Sequence, residues 1–316
     1  DAKAGRLTTF DGRETAPVAA QSDRFLGPDG QPLPFVQAFQ GGKSVGVPGN
    51  IRLMALVHEK WGKLPWADLF MPAIQLAEGG FDVNETLEGR LKDIAPLWDR
   101  FPEAKEIYWK NGAPAKVGDT ITNPKLAATF ERMADLGPDA FYSGQTAQEI
   151  INAVRTTAVN PSDMTQDDLN AYQAIERDAV CMPYRTYRIC GMGPPSSGAT
   201  TVLQILGMLE NFDLPQLGSG SPESWHLIGE AMQLAYADRA AYLGDPGFVY
   251  VPVDGLLNKD YLKNRAALIK PDSALGTYEA GTPPEAEPRT EAPSSEVPGT
   301  TNFVAVDKDG NDDAAS

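Results

Sequence analysis

Apolar residues recur at helical spacing over much of the middle of the chain. Leu53, Leu56 and Val57 predict a helix from about Asn50 to Lys60. The glycine-rich run GGKSVGVPG at 41–49 feeds that helix. Its residue order is not that of a phosphate-binding loop, so close backbone packing is the expected use of its glycines. In KLPWADLFMPAIQLAEGGF, Pro72 suits a first helical position and Gly79-Gly80 a stop, which predicts a short helix over about 72–78. Asn123-Pro124 opens another helix with Leu126, Phe130 and Met133 on one face, ended by Gly137-Pro138. The pattern repeats from Gln145 to Val154. Thr165-x-x-Asp168 is a capping-box signature that starts a brief helix through Leu169 and Tyr172. A longer helix is predicted from Trp225 to Leu243, with Ile228, Met232, Ala235 and Tyr236 facing inward.

Period-two patterning is rarer. Arg6 to Phe10 reads as a strand. Near the other end, Thr301, Phe303 and Ala305 alternate with Asn302, Val304 and Val306, and Asp309-Gly310 follows as a turn. The residues after that turn, DDAAS, show no strand pattern. A strand without a partner leaves backbone groups unsatisfied, so the chain is expected to be a piece of a larger fold or one chain of an assembly. Cys181 and Cys190 flank Pro183-Tyr184-Arg185-Thr186, a plausible turn between two short strands that would set the cysteines face to face. Two outcomes stay open: a disulfide in an oxidising compartment, or two buried thiols in a reducing one. Residues 271–299 are rich in proline and acid and poor in large apolar side chains, and are expected to be a mobile segment.

Composition narrows the partners. With 316 residues the chain can bury a core, and its formal charge of −16 is spread without an opposing Lys/Arg cluster. Nucleic acid and anionic membranes are therefore disfavoured. No run approaches the roughly 20 apolar residues of a membrane-spanning helix. The two histidines, His58 and His226, lie in separate predicted helices without ligand spacing, and two cysteines alone make a zinc site improbable, so no metal is expected.

The remaining chemistry sits at two places. Ser196-Ser197 is not in a nucleophile elbow. Gly299-Thr300, however, places a hydroxyl after an unhindered carbonyl at the end of a proline-rich segment. Self-cleavage there would give Thr300 a free α-amine, with a pKa of roughly 8, able to act as base for its own hydroxyl. Ordinary β-propensity is the competing reading of the Thr-Thr pair. Arg13, in FDGRETAP, follows a strand, and its planar fork could grip a carboxylate in bidentate fashion. A surface ion pair with Asp11 or Glu14 is the competing reading there.

Taken in order, FDGRETAP, GVPG, GKLPWADLFMPAIQLAEGGF, GPDAFYSGQTAQEI, MTQDDLNAYQAIERDAV, YRTYRICGMGPPSSG, LQILGMLENFDL, YADRAAYLGDPGFVYVPVDGLLNKDYL and TTNFVAVDKDGN resemble the γ-glutamyltranspeptidase family of N-terminal-nucleophile hydrolases. The resemblance spans nearly the whole chain. It implies an α+β fold, the four-layer αββα sandwich, of which this chain would carry the helix-rich portion. It implies that Gly299-Thr300 is an autocleavage site, that 300–316 begins a small subunit, and that Thr300 is the nucleophile. Arg13 would bind the α-carboxylate of a γ-glutamyl group. The implied activity is hydrolysis of glutathione and related amides, or transfer of the γ-glutamyl group to amino acids or peptides, with no cofactor. The implied partner is the small-subunit chain of the same precursor, and the implied location is periplasmic or secreted. Asn302 stands where the family often has His, and Ala199 where a second Gly is common. The family's remaining substrate-binding residues fall beyond Asn311, so this chain by itself is expected to be inactive. A glutaryl-cephalosporin acylase of the same family, and a non-catalytic binding remnant, are the alternatives.

Overall fold

A computed structural model describes residues 2–287 and 302–315. The chain forms two compact units, residues 11–175 and residues 1–10 with 176–316.

The 11–175 unit is mainly helical: α1 Asn50–Trp61, α2 Trp66–Gly79, α3 Glu85–Asp93, α4 Pro124–Leu136, α5 Gly144–Thr156 and α6 Gln166–Ala171. Asn123 caps α4 by accepting from the Leu126 amide at 3.1 Å, as its sequence predicts. The capping box of α6 is complete. One expectation fails here. Helix α2 starts at Trp66 and runs through Pro72 instead of starting at it. Interior proline costs about 3 kcal/mol. Phe70 and Ile74 are buried on either side of it, against Ala127 and Met133 of α4, and Trp66 Nε1 donates to the Met133 carbonyl at 2.9 Å. At about 1.5–3 kcal/mol per buried large side chain, that packing outweighs the broken turn. A second core joins Val47, Tyr142, Ala147, Ile151, Val154, Met164, Leu169 and Tyr172. A third, around Leu91 of α3 and Trp98, is bordered by a short ladder of Phe81–Asp82 on Thr120–Ile121.

The other unit opens with the hairpin β1 Ala179–Tyr184 and β2 Tyr187–Met192. Helices α7 Gly198–Leu209, α8 Pro222–Tyr242 and α9 Lys259–Ala266 follow. Its core gathers Met182, Leu203, Met208, Leu227, Ala231, Leu234, Leu262 and Ala266. The inward face of α8 matches the expectation in part, since Ala235 is buried and Ile228 packs against the core. Leu227, Glu230, Ala231, Leu234, Ala235 and Asp238 are buried, whereas Met232 and Tyr236 are exposed. Two of its buried positions, Glu230 and Asp238, are acids with dedicated partners.

Those partners explain a further correction. The segment from 271, expected to be mobile, is held in place as far as 287. Leu275 and Tyr278 pack on the core, and the Leu275 amide and Tyr278 hydroxyl both donate to Glu230. The Gly281 amide donates to Asp238 Oδ1 at 2.8 Å, and Arg265 donates to the Glu279 carbonyl at 2.8 Å. Composition alone missed this, because the strap needs no core of its own when a buried helix face supplies its hydrogen-bond partners. Residues 288–299 of the expected mobile segment lie outside the described residues.

The last correction concerns the chain after Asp309-Gly310. Strand β3, Phe303–Val306, pairs antiparallel with β4, Asp312–Ala315, so the returning strand exists. Asp307 sets the turn by accepting from the Asp309 and Asn311 amides. A two-stranded ladder needs backbone groups in register and not β-prone side chains, which is why DDAA can serve. Among the described residues every sheet is two-stranded, and the architecture is mixed helix and strand, α+β.

Candidate functional site

Arg13 lies on a turn without regular structure, and four backbone anchors fix that turn. Its own amide donates to Asp11 Oδ1 at 2.9 Å. Its carbonyl accepts from the Tyr172 hydroxyl at 2.6 Å. Two residues on, Thr15 and Val47 exchange amide-to-carbonyl bonds of 3.3 and 2.8 Å. The Val18 amide then donates to Asp168 Oδ1 at 2.8 Å. Helix α6 and the residue after it thus grip the turn from both ends, with Asp168 at one and Tyr172 at the other.

The grip is close because glycine leaves room for it. A Cβ on Gly49 would lie 2.0 Å from the Tyr172 hydroxyl oxygen and 2.2 Å from the Gly12 carbonyl. The glycine-rich run at 41–49 therefore serves backbone packing, as its residue order implies. Tyr172 is buried and stacks on Tyr142, with ring centroids 6.2 Å apart. Burial, reinforced by the charge of Asp11, by Tyr142 and by the charge of Glu14, pushes its phenol up to about 12, so it remains a donor at any physiological pH. Burial also pushes the Asp168 carboxyl up. The Val18 and Thr165 amides and the Thr165 hydroxyl outweigh it, and the net shift is downward.

Against this fixed backbone the Arg13 side chain is 61% exposed, and its contact with Glu14 spans 3.9 Å. A pair that long and that solvated is worth little. Among the described residues no closer partner takes up the guanidinium fork, which leaves it able to meet an external carboxylate or another anion from an anchored main chain.

The other sequence candidates divide. Gly299 and Thr300 lie outside the described residues. Cys181 and Cys190 are register partners across β1 and β2 and form a disulfide, with sulfurs 2.10 Å apart. His58 and His226 each engage one backbone carbonyl at 2.8 Å, those of Leu64 and Lys270. Among the described residues no cluster of His, Cys, Asp and Glu could hold a metal ion, and no helix is long and apolar enough to cross a membrane.

Sequence reasoning did not see the roles of Tyr172 and Asp168 toward the Arg13 turn. It used Asp168 only as a cap and Tyr172 only as a helix-face residue. The contacts join positions 159 and 150 residues apart, and no local pattern encodes them.

The family model described as gamma-glutamyltranspeptidase matches residues 1–314. The glutathione hydrolase proenzyme of Escherichia coli K12 is 39% identical over 98% of this chain and 52% of its own length. The acylase ACY 1 proenzyme of Pseudomonas sp. strain SE83 is 36% identical over 74% of this chain and 41% of its own. Among solved structures, the gamma-glutamyltranspeptidase of Helicobacter pylori superposes with a TM-score of 0.83 at 35% identity, covering 90% of this chain and 81% of that one. The chain spans about half the length of the proenzymes it matches.

Proposed function

The chain belongs to the gamma-glutamyltranspeptidase family, and we propose that it is the larger part of a proenzyme that cleaves itself at Gly299-Thr300 and then catalyses γ-glutamyl acyl transfer. The observation that carries this reading is the FDGRE turn. It anchors the Arg13 main chain and leaves the side chain exposed, with a long contact to Glu14 among the described residues, in a chain that matches the family from residue 1 to residue 314. In the first reaction the Thr300 hydroxyl attacks the Gly299 carbonyl and the peptide nitrogen leaves as the Thr300 α-amine. The resulting ester is hydrolysed. In the second, the freed amine takes the hydroxyl proton while Thr300 Oγ1 attacks the γ-glutamyl amide. The leaving amine is protonated, and a γ-glutamyl ester forms on Thr300. Water releases glutamate, or an amino acid or peptide amine accepts the acyl group. Arg13 binds the substrate's α-carboxylate as a two-point fork throughout.

Glutathione is the leading donor, and the segment from Thr300 onward is the start of a small subunit that stays with the larger chain as a heterodimer. No organic cofactor takes part. The Cys181–Cys190 disulfide favours an oxidising compartment, periplasmic or secreted. The acylase relative supports one second reading, a glutaryl-cephalosporin acylase with the same nucleophile and the same carboxylate fork. Relative rates on γ-glutamyl and glutaryl anilides separate the two.

The deciding experiment is a mass spectrum and an activity assay of the full-length precursor and its Thr300→Ala variant. The parent splits into two chains, the second beginning at Thr300, and turns over a γ-glutamyl anilide. The variant stays intact and inactive. Cleavage that persists in Thr300→Ala refutes the assignment, and a parent that never splits leaves the non-catalytic remnant as the better description.

A further inference from the structure

The Arg13 turn is unusual in where its constraints fall. Its short contacts are made to its backbone, and among the described residues the Arg13 side chain carries only the long contact to Glu14. The donor to the Arg13 carbonyl, Tyr172, is 6% exposed and sits in the same apolar cluster as Tyr142, Leu169 and Val47. That cluster fixes the phenol ring, and the ring fixes the carbonyl. Val47, the residue that pairs with Thr15, belongs to the cluster as well. Asp168 completes the frame at Val18 while its other oxygen accepts from the Thr165 amide and hydroxyl at 2.7 and 2.8 Å. The sequence element MTQDDLNAY is therefore a template for a turn about 150 residues earlier.

We infer that Tyr172 is a positioning residue for substrate affinity: its hydroxyl, bonded to the Arg13 carbonyl, sets the direction in which the Arg13 fork leaves the turn and so the strength of carboxylate binding.

The physical reason lies in the geometry of bidentate pairing. Two parallel N–H···O bonds need the guanidinium plane aligned with the carboxylate, and a flexible arginine loses rotamer entropy in reaching that alignment. Anchoring the main chain beneath it removes the part of that cost that comes from backbone motion. The gain applies equally to bound substrate and to the transition state, because the carboxylate is remote from the amide that reacts. Such uniform binding appears in KM and not in kcat. Tyr172 touches no substrate in this account and acts only through Arg13.

The inference rests on Arg13 as the carboxylate receptor, and a double-mutant cycle in the full-length enzyme tests the two separately. Steady-state kinetics on a γ-glutamyl anilide are measured for the parent, Tyr172→Phe, Arg13→Ala and the double variant. Tyr172→Phe keeps the ring and its packing and removes only the donor. The expected result is a KM raised about fivefold to tenfold with kcat within twofold, the loss expected for one hydrogen bond of about 1 to 1.5 kcal/mol. In the Arg13→Ala background the same substitution changes neither parameter, since no fork remains to be aimed. A purely structural role would lower activity alike in both backgrounds, and that result overturns the inference. So does an unchanged KM in Tyr172→Phe when Arg13→Ala raises it. If Arg13→Ala itself leaves KM unchanged, the carboxylate assignment fails first and the positioning role goes with it.

Discussion

The Arg13 turn and the strap of residues 271–287 solve the same problem in opposite ways. Both are segments without regular structure whose composition promises little order, and both are fixed by a neighbouring helix. At the Arg13 turn a neutral phenol and two carboxylates, Asp11 and Asp168, hold main-chain groups, and the functional side chain stays exposed with a long contact to Glu14. At the strap, the helix side chains that hold it are themselves charged and buried. Asp238, fully buried, accepts from Gln204 at 3.0 Å, Tyr261 at 2.8 Å and Gly281 at 2.8 Å, and pairs with Arg265 at 3.0 Å. Arg265 in turn donates to the Leu234 and Glu279 carbonyls. The first arrangement spends its contacts on the main chain and leaves the functional side chain exposed. The second buries an ion pair, Asp238 with Arg265, which is costly to desolvate and turns its charges toward the strap. Damage at the strap should therefore appear as lost stability, and damage at the turn as lost affinity.

The largest effect should come from Asp238→Ala. It leaves the Arg265 guanidinium buried without its counter-charge, and the Tyr261 hydroxyl and Gly281 amide without an acceptor. Removing one partner of a buried pair costs about 3–5 kcal/mol. Urea unfolding of the full-length protein should show that loss, with proteolysis entering the 271–287 segment first. A loss below about 1 kcal/mol would mean that the strap is held by its apolar contacts alone, and the contrast with the Arg13 turn would collapse.

The same contrast accounts for what was legible in the sequence. Helices whose buried faces are apolar, such as α5 with Ala147, Ile151 and Val154, were readable from spacing. So was the capping box of α6, because its signal lies within four residues. The buried face of α8 was readable only at Ile228 and Ala235, because Glu230 and Asp238 also occupy it and hydrophobic periodicity treats an acid as a surface residue. Pro72 misled for a related reason: its cost is local, whereas the compensation comes from α4, about fifty positions further along the chain. At the site, the FDGRE motif marked Arg13, but nothing in the sequence marks the partner of its carbonyl. A tyrosine hydroxyl that meets a backbone oxygen 159 residues away leaves no pattern in either segment.

A smaller effect, and a sharper division, should follow from Gly49→Ala. The added methyl would meet the Tyr172 hydroxyl and the Gly12 carbonyl at distances no carbon occupies without movement. Overpacking of this kind costs typically about 1–3 kcal/mol. The methyl enters between Tyr172 and the residue before Arg13, so the displacement is passed directly to the turn. Thermal unfolding should report a modest drop in Tm and kinetics a clear rise in KM. The comparison fails if Gly49→Ala loses stability and keeps the parental KM, because the turn would then tolerate movement of its own frame.

The smallest effect is a matter of sign. The Asp168 carboxyl is held below its ordinary value of 3.8 by the donors that outweigh its burial. Its contribution to stability is therefore fully present above that value and is lost as the pH falls through the lower, folded-state pKa. Asp238 shifts the other way. Burial pushes its carboxyl up, against the opposing pull of Arg265, Gly281, Tyr261 and Gln204. Between 3.8 and its raised value the folded state binds more protons than the unfolded one, and the Asp238 contribution weakens as pH rises. Asp168→Asn should cost about 1 kcal/mol near neutrality, the net worth of one hydrogen bond lost. It should also flatten the loss of stability on the acid side of 3.8. Asp238→Asn should instead flatten the slope above that value. Urea midpoints measured from pH 3 to pH 6 distinguish the two. If both variants change the profile in the same direction, the carboxylate at the turn and the carboxylate at the strap are doing the same electrostatic work, and only their partners differ.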